Sequence, residues 1–519
     1  MVASIFAPAT ETWMHLARTS LAGYIVNTAL LVALVAAGVV SMGVLSAWLV
    51  TAYRFPGQRV LEWLLVLPLA MPAYVMAYAY TDWLQYTGPV QSLLRAATGW
   101  QAREYWFPEI RSLGGAAAML SFALYPYVYL LARTAFVDVS RAALEAGRLA
   151  GYSAWGCFRR IALPLARPAI AAGTALALME TLADFGTVSY FALEVFTTGI
   201  FKAWLSMGDA TAAAQLSAGL LALVLLVVAL ERASRGRAAY ASATRKPSPP
   251  QRLSGPAAAL ALAACAAPVA LGFALPATLL AQLAWSSAEA QWSARLPALL
   301  GNSFALAGIA AAAGVLLATA MAYAARLARG RLAAAVKAAN RAAGLGYAIP
   351  GAVIAVGILV PLGRLDNWIA AALEAAFAVK PGLLLTGTIA ALVYAYLVRF
   401  LAVALQTVEA GLAKVTPSME DAARSLGATP AQTLARVHAP LLASSLASAA
   451  LLLFVDVLKE LPATFALRPF NFDTLAVEAY NLAKDERLAE AALPSLVIVA
   501  LGLVPLLAVT RRYFHATRS

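Results

Sequence analysis

Apolar residues occur along this chain in long uninterrupted runs, not in the short periodic stripes of soluble proteins. A run of about 18 or more apolar residues can cross a bilayer as one helix. The first part of the chain has five such runs, near 22–52, 61–84, 113–137, 166–190 and 210–230. The second part has six, near 254–284, 299–325, 342–363, 382–408, 440–461 and 490–510. The pattern predicts an all-α polytopic membrane protein with about eleven transmembrane helices.

Composition excludes the main alternatives to a membrane protein. Apolar residues make up 62% of the chain and charged residues 12%, whereas soluble domains are roughly half apolar and about a quarter charged. A soluble enzyme is therefore excluded, and so is a disordered chain, which needs low hydrophobicity. The two cysteines, Cys157 and Cys265, are too few for a disulfide framework.

The formal net charge of +13 is distributed unevenly among the loops. Lys and Arg concentrate in alternate loops, near 54–59, 141–167, 232–252, 326–341, 414–436 and 511–518. The positive-inside rule places these loops in the cytoplasm, so the basic excess indicates orientation and not nucleic-acid binding. With eleven spans and a cytoplasmic C-terminus, we expect Met1 on the opposite side.

An internal repeat with a spacing of 276 residues relates the two parts of the chain. The matched pairs are Gly38 and Gly314, Gly151 and Gly427, Pro164 and Pro440, Glu180 and Asp456, and Asp184 and Glu460. The repeat predicts two homologous halves with the same orientation, residues 1–232 and 254–519. Residues 233–253 are rich in Pro, Ser and basic residues and are expected to form a cytoplasmic linker.

The run at 254–284 has no counterpart in the first half, since residues 1–20 are too polar and too short to span a bilayer. Either the first half lacks this leading helix, or the native chain begins upstream of Met1. In both cases we expect residues 1–20 on the outer side and five first-half spans around a complete core.

Two predicted cytoplasmic loops share one motif. Residues 145–164 read EAGRLAGYSAWGCFRRIALP and residues 421–440 read DAARSLGATPAQTLARVHAP. The shared frame is Glu145, Ala146, Gly151, Ile161, Leu163 and Pro164 in the first loop, and Asp421, Ala422, Ala423, Gly427, Val437 and Pro440 in the second.

Local physical chemistry gives both loops the same predicted structure. Residues 138–150 and 416–426 favour short amphipathic helices, and Gly151 and Gly427 suit a helix end that needs positive φ. We expect Pro164 and Pro440 to open the next membrane helix. One such helix could be a connector resting on lipid headgroups, but a matched pair indicates docking into a partner's groove.

Both loops resemble the EAA loop of binding-protein-dependent ABC importer permeases, with departures at Gly147, Asp421, Val437 and Ala439. Residues 180–204 and 455–480 are similar to the fused permeases of the ferric-iron family. The resemblance implies two type I ABC importer permease halves in the bacterial inner membrane. It also implies two copies of a cytoplasmic ATPase on the coupling loops and a periplasmic binding protein that delivers Fe(III).

No catalytic residue or cofactor is expected in the chain. The phosphate-binding motif GxxxxGK[ST] does not occur in the sequence, so ATP hydrolysis is assigned to a separate subunit. The zinc signature HExxH is absent as well. His15, His438 and His515 are far apart in sequence and form no local cluster.

Four carboxylates at predicted membrane depth are candidates for the substrate path, because charges there are costly. They are Glu180, Asp184, Asp456 and Glu460. Acidic groups along a path select cations, so these four are predicted to make transient contacts with Fe(III), with Lys459 neutralising one of them. Alternatively, Asp184 and Glu460 end their helices at the interface, and Glu180 and Asp456 form structural pairs with basic residues.

Two other functions remain compatible with parts of the sequence. An ABC permease for thiamine or a polyamine would share the motifs. A secondary transporter would use the acids as a proton or cation relay, but this would leave the two matched loops without a role. Arg133 and Arg399 lie toward the inner ends of their helices and are expected to snorkel to the interface.

Overall fold

The computed structural model describes residues 8, 10–101, 104–139, 141–235, 251–286, 295–378 and 382–516. Within these ranges the chain is helical apart from two short strands, β1 (Tyr53–Arg54) and β2 (Gln251–Arg252), which pair in parallel. The predicted all-α class is confirmed. Most of the predicted linker, residues 236–250, lies outside the described residues.

Contacts divide the chain into two compact units. The first unit comprises Met1–Trp292 and Ala479–Leu506, and the second comprises Ser293–Glu478 and Leu507–Ser519. The helix after the linker and a segment near the C-terminus therefore belong to the first unit, together with the first half of the sequence.

The helices follow in chain order. The earlier ones are α1 Glu11–Thr19, α2 Leu21–Ala52, α3 Gln58–Leu64, α4 Ala73–Leu84, α5 Pro89–Thr98, α6 Leu113–Val137, α7 Arg141–Leu149, α8 Ala154–Cys157, α9 Leu163–Ala183, α10 Gly186–Tyr190, α11 Phe196–Phe201, α12 Ala210–Arg235, α13 Gly255–Val269 and α14 Leu275–Ser286. The later ones are α15 Leu296–Leu327, α16 Gly330–Gly344, α17 Gly351–Phe377, α18 Ile389–Leu412, α19 Pro417–Ser425, α20 Pro430–Thr433, α21 Ala439–Leu458, α22 Pro462–Leu467, α23 Leu475–Lys484 and α24 Leu488–Ala516.

Ten helical segments in the described ranges are long and apolar enough to cross a membrane. They are Leu21–Ala52, Leu113–Val137, Ala154–Ala183, Ala210–Ser234, Gly255–Ser286, Leu296–Leu327, Gly351–Phe377, Ile389–Leu412, Pro430–Leu458 and Leu488–Leu507. A bent pair, Gln58–Ala70 with Ala73–Thr98, raises the number to 11 if it counts as one span. This agrees with the predicted number of about eleven.

Two predicted spans differ in shape or position from the sequence pattern. The run at 61–84 is bent by 93° between Ala70 and Ala73. The run at 342–363 is divided between the end of α16 at Gly344 and the start of α17 at Gly351. In both places a proline in extended conformation precedes the helix, Pro72 in the first and Pro350 in the second. A residue before proline avoids the α region, so the helix restarts there despite continuous apolarity.

The same three-helix core occurs in each unit. In the first unit α2, α6 and α9 pack against one another, and in the second α15, α18 and α21 do. Gly38 and Gly314 stand at these crossings, where an added Cβ would collide with Ser121 and with Leu453, respectively. Small residues at such positions allow membrane helices to approach closely, which explains why this repeated pair is glycine.

Pro164 and Pro440 are the second residues of α9 and α21, as predicted for prolines that open a helix, but helical structure also precedes them. The spans begin earlier, at Ala154 and at Pro430, because Ser153 and Thr429 cap them. Both prolines lie farther inside, just after one turn of π-helix, Phe158–Ala162 in the first half and Leu434–His438 in the second. Proline lacks an N–H, and the wider turn accommodates the lost hydrogen bond.

Candidate coupling loops and membrane carboxylates

The first candidate coupling helix, α7, ends on a left-handed glycine. Gly151 has a φ of 83°. The N–H of Tyr152 donates to the carbonyl of Gly147 at 3.0 Å, and the N–H of Gly151 donates to that of Arg148 at 2.9 Å. This pair of bonds is a Schellman motif, which fixes the direction in which the chain leaves the helix.

The second candidate coupling helix, α19, ends in the same way. Gly427 has a φ of 81°. The N–H of Ala428 donates to the carbonyl of Ala423 at 3.0 Å, and the N–H of Gly427 donates to that of Arg424 at 2.9 Å. The predicted short helices and the positive φ of both glycines are therefore confirmed, and the two loops have the same terminating geometry.

The first positions of both motifs face outward. Glu145 and Ala146 are exposed in the first loop, as are Asp421 and Ala422 in the second. Each loop also carries an exposed leucine beside its glycine: Leu149 is 90% exposed, and Leu426 is 88% exposed. These exposed side chains are the part of each loop that a partner could contact.

The third motif position faces inward and explains two departures from the EAA pattern. Gly147 is buried, and an added Cβ there would collide with the side chain of Ile161. The second loop has Ala423 and Val437 at the corresponding positions. The second loop therefore has one more methyl group at the first of these positions and a smaller side chain, Val in place of Ile, at the other. Such compensation keeps the volume of a close-packed contact constant.

The base of the first loop is aromatic and apolar. The Trp48 ring of α2 lies 5.3 Å from that of Phe136 and 5.0 Å from that of Phe158, between ring centroids. A cavity of about 90 Å³ beside them is lined by Trp48, Leu144 and other side chains. At its edge, the Arg148 guanidinium donates to the side-chain oxygen of Gln251 at 2.8 Å, so strand β2 is held against the coupling helix.

The base of the second loop is polar. Glu420 of α19 lies 2.5 Å from the Arg326 Nε and 3.3 Å from the His438 Nε2. His438 is fully buried, and its ring meets that of Tyr323 edge-on, with the centroids 5.4 Å apart. The first loop has Leu144 and Ala162 where the second has Glu420 and His438.

Two residues of α15 attach this base to the backbone of the loop. Arg326 donates to the carbonyls of Leu412 and Val415 at 2.5 and 2.6 Å. The Tyr323 hydroxyl donates to the carbonyl of Pro430 at 2.8 Å. This cluster could not be predicted from sequence patterns, because Arg326 lies far from Glu420 and His438 in the chain. The one signal in the sequence is that Arg326, Glu420 and His438 are ionisable residues next to long apolar runs, where a charge needs a partner.

Asp184 holds the start of the short helix α10 in the first unit. One carboxylate oxygen accepts from the N–H groups of Thr187 and Val188 at 3.1 and 3.2 Å, and the other accepts from the Thr187 hydroxyl at 3.1 Å. This is the geometry of a helix cap. The second candidate of this unit, Glu180, is half-buried on α9.

Glu460 does the same for α22 in the second unit. Its carboxylate accepts from the N–H groups of Ala463 and Thr464, both at 2.9 Å. It also pairs with Arg399 at 3.0 Å in a buried ion pair. Asp456 pairs with Lys459 at 3.0 Å, so the expectation that Lys459 neutralises one of the acids is confirmed.

The prediction that Arg133 and Arg399 snorkel is wrong. Arg133 and Arg399 are 5% and 7% exposed. Arg133 donates through its Nε to Glu62 at 2.9 Å, and Arg399 pairs with Glu460. A carboxylate partner offsets much of the cost of a buried charge, so neither side chain needs to reach the headgroups.

Within the described ranges, no three His, Cys, Asp or Glu side chains are close enough together to hold a metal ion. The four candidate carboxylates therefore do not form a resident metal centre of this kind. Any contact with a cation would be made by a carboxylate in passing, which is what a permeation path requires.

Comparison with known proteins identifies a domain in the first half. Residues 20–234 match the family model described as "Binding-protein-dependent transport system inner membrane component". The chain is 26% identical to the Fe(3+)-transport system permease protein FbpB 2 of Haemophilus influenzae over 495 residues. The aligned region covers 94% of this chain and 89% of that protein.

Two further relatives match a shorter part of the chain. The sulfate transport system permease protein CysT of Escherichia coli is 29% identical over 192 residues, which is 36% of this chain and 66% of the relative. The molybdenum transport system permease protein ModB of E. coli is 31% identical over 153 residues, which is 30% of this chain and 64% of the relative.

These relatives are transport permease subunits and not enzymes. A permease function is consistent with the helical architecture and the two matched loops of this chain. Permeases of this kind work with an ATPase and a substrate-binding protein. The chain is thus a multi-pass membrane protein that is similar to the inner-membrane component of binding-protein-dependent transport systems over residues 20–234, and to a Fe(3+)-transport permease over 94% of its length.

Proposed function

We propose that this permease carries Fe(III) from a periplasmic binding protein into the cytoplasm. The observation that carries the proposal is similarity to a Fe(3+)-transport permease over 94% of this chain and 89% of the relative. The sulfate and molybdenum permeases match only about a third of the chain. Carboxylates at membrane depth support a cation.

The coupling loops provide the mechanical part of the proposal. Each loop offers a short helix with an exposed acidic residue, Glu145 or Asp421, and an exposed leucine, Leu149 or Leu426. We assign one ATPase copy to each loop. ATP binding closes the ATPase pair, moves the seated loops and opens the permease outward, and hydrolysis resets it. Since both halves belong to one chain, one permease chain serves each complex.

The bases of the loops determine how movement reaches the membrane. In the first unit, ring contacts link the loop to α2 and α6 through Trp48 and Phe136. In the second, Arg326 and His438 link the loop to α15 and α21. Packed side chains and ion pairs transmit displacement between rigid helices.

Reconstitution tests the transport function directly. The purified permease, its ATPase and its binding protein are placed in proteoliposomes, and uptake of Fe(III) citrate is followed with sulfate, molybdate, thiamine or a polyamine as competitors. We expect Fe(III) uptake that requires ATP and the binding protein and is unaffected by the competitors. Uptake driven by a proton gradient without the ATPase would contradict the proposal, as would preferred uptake of a competitor.

The substrate role of the carboxylates has its own test. In the Glu180→Gln, Asp456→Asn variant we expect Fe(III) flux to fall roughly tenfold, which corresponds to about 1.4 kcal/mol of lost stabilisation, while assembly with the ATPase is retained. Glu490→Gln is the control, because Glu490 forms an exposed ion pair with Arg487. Unchanged flux in the double variant would make these acids structural.

A further inference from the structure

A cluster of buried tyrosines surrounds Asp184 in the first unit. Tyr78 of α4 and Tyr190 of α10 meet edge-on, with ring centroids 4.7 Å apart. The Tyr480 hydroxyl lies 2.7 Å from the Ser189 hydroxyl. Tyr78 and Tyr480 both interact electrostatically with Asp184. Three distant parts of the sequence thus bring tyrosines into one cluster, in which Asp184 caps the helix that carries Tyr190.

The Tyr78 hydroxyl makes no hydrogen bond to the described part of the protein. The side chain is 2% exposed, and its oxygen has no hydrogen-bond partner among the described residues. An unsatisfied buried hydroxyl costs about 1–3 kcal/mol. Phenylalanine would keep the ring contacts without that cost. Unlike the equally unpaired hydroxyl of Tyr125, that of Tyr78 lies in a cluster with a carboxylate, Asp184, so its oxygen is available to a ligand there.

Asp184 retains capacity for a ligand despite its capping bonds. Its two oxygens accept three hydrogen bonds, two from Thr187 and one from Val188. A carboxylate has about four lone-pair sites, so one remains free of these bonds. The negative charge is also available, because the bonds come from neutral groups.

The charge near the cluster is compatible with a cation. Arg111 lies over the Tyr190 ring at 5.1 Å and is paired with Glu486 at 2.7 Å. Its positive charge is therefore offset. The Arg111 and Glu486 side chains are 35% and 56% exposed, so this ion pair lies at an accessible edge of the cluster, whereas the three tyrosines are buried.

We propose that Tyr78, Tyr190, Tyr480 and Asp184 form a transient oxygen-donor site for Fe(III), an inference that rests on the proposed function. Hard cations prefer oxygen ligands, and tyrosine oxygen ligates iron in proteins. A bound cation favours the phenolate, so each Fe–O(phenol) bond replaces an O–H bond and releases one proton to water. The iron remains Fe(III) throughout. Parting of the Arg111–Glu486 pair admits the ion.

Tyr78→Phe tests the site, because it removes one oxygen and keeps the ring. The matched control is Tyr125→Phe: Tyr125 is also fully buried on a membrane helix, and its hydroxyl also lacks a partner in the described ranges. Fe(III) uptake is measured in the reconstituted complex. We expect Tyr78→Phe to lower uptake about tenfold or more, since groups that only support a metal ligand already contribute 10–100-fold.

The remaining outcomes separate the two proposals. Tyr125→Phe should transport at the wild-type rate, and Tyr78→Phe should retain ATP hydrolysis stimulated by the binding protein. Tyr480→Phe, a second variant, should also lose uptake. If both cluster variants transport Fe(III) at the wild-type rate, the site is overturned while the Fe(III) function stands. If the wild-type complex takes up no Fe(III), the proposed function fails, and this inference fails with it.

Discussion

Gly151 and Gly427 show how a single backbone angle shapes a docking element. Both have positive φ, and an added Cβ at either would find no atom within 4 Å. The cost of another residue there comes from backbone conformation alone, about 1–2 kcal/mol for an ordinary L-residue. It is larger for β-branched residues, so substitution acts on the direction of the chain after the helix and not on packing.

We expect the Gly151→Val, Gly427→Val variant to lose most ATP-driven uptake while the membrane-embedded fold persists. The Schellman ends would relax, and each coupling helix would lose its fixed position. Gly208→Val is a matched control, because Gly208 has a φ of 71° and equally open surroundings outside both loops. Uptake and ATPase co-purification measure the effect, and normal values for both would refute the coupling role.

At the scale of elements, two loops with equal helices rest on unequal supports. The first support is a set of rings around Trp48, and the second is the ion pair of Arg326 and Glu420 beside the buried ring of His438. Ring contacts tolerate small displacements, whereas hydrogen bonds to charged groups depend on distance and direction. The second loop should therefore be the more sensitive of the two to single polar substitutions.

Glu420→Gln should weaken the second support by roughly 2 kcal/mol, because it leaves the largely buried charge of Arg326 without its carboxylate partner. We expect a lower unfolding temperature of the purified permease and weaker coupling of ATP hydrolysis to uptake. Glu490→Gln removes an exposed i, i+3 ion pair and should change stability by about 0.5 kcal/mol or less. Equal unfolding temperatures for the two variants would show that the cluster does not support the loop.

Much of the fold and of the coupling loops could be predicted because the signals are local. Apolar runs give the spans, and the spacing of Gly151 and Gly427 after short amphipathic stretches gives the loop geometry. The partners of buried charges could not be predicted in this way. Arg133 and Glu62 are 71 positions apart in sequence, and Tyr480 reaches Ser189 over 291 positions. Such contacts follow from tertiary packing, which periodicity does not encode.

At the scale of the whole molecule, the predicted orientation gives a test of topology. We expect residues 1–20 on the periplasmic side and the coupling loops in the cytoplasm. Cys157 and Cys265 are buried, so replacing both with Ala gives a background for single-cysteine labelling. His15→Cys should react with an impermeant thiol reagent in intact spheroplasts, and Ser425→Cys only in inverted vesicles. Labelling of His15→Cys from the cytoplasmic side alone would reverse this topology.

The division of the chain into units also determines the order in which the two units are completed during synthesis. Residues Ser293–Glu478 of the second unit are continuous, whereas the first unit needs Ala479–Leu506. The ribosome delivers that segment, with Tyr480 and Glu486, only after almost all other residues are made. The first unit to enter the membrane is thus the last to be completed. A chain terminated after Glu478 would keep both coupling loops and lose Tyr480, and with it one phenol of the tyrosine cluster.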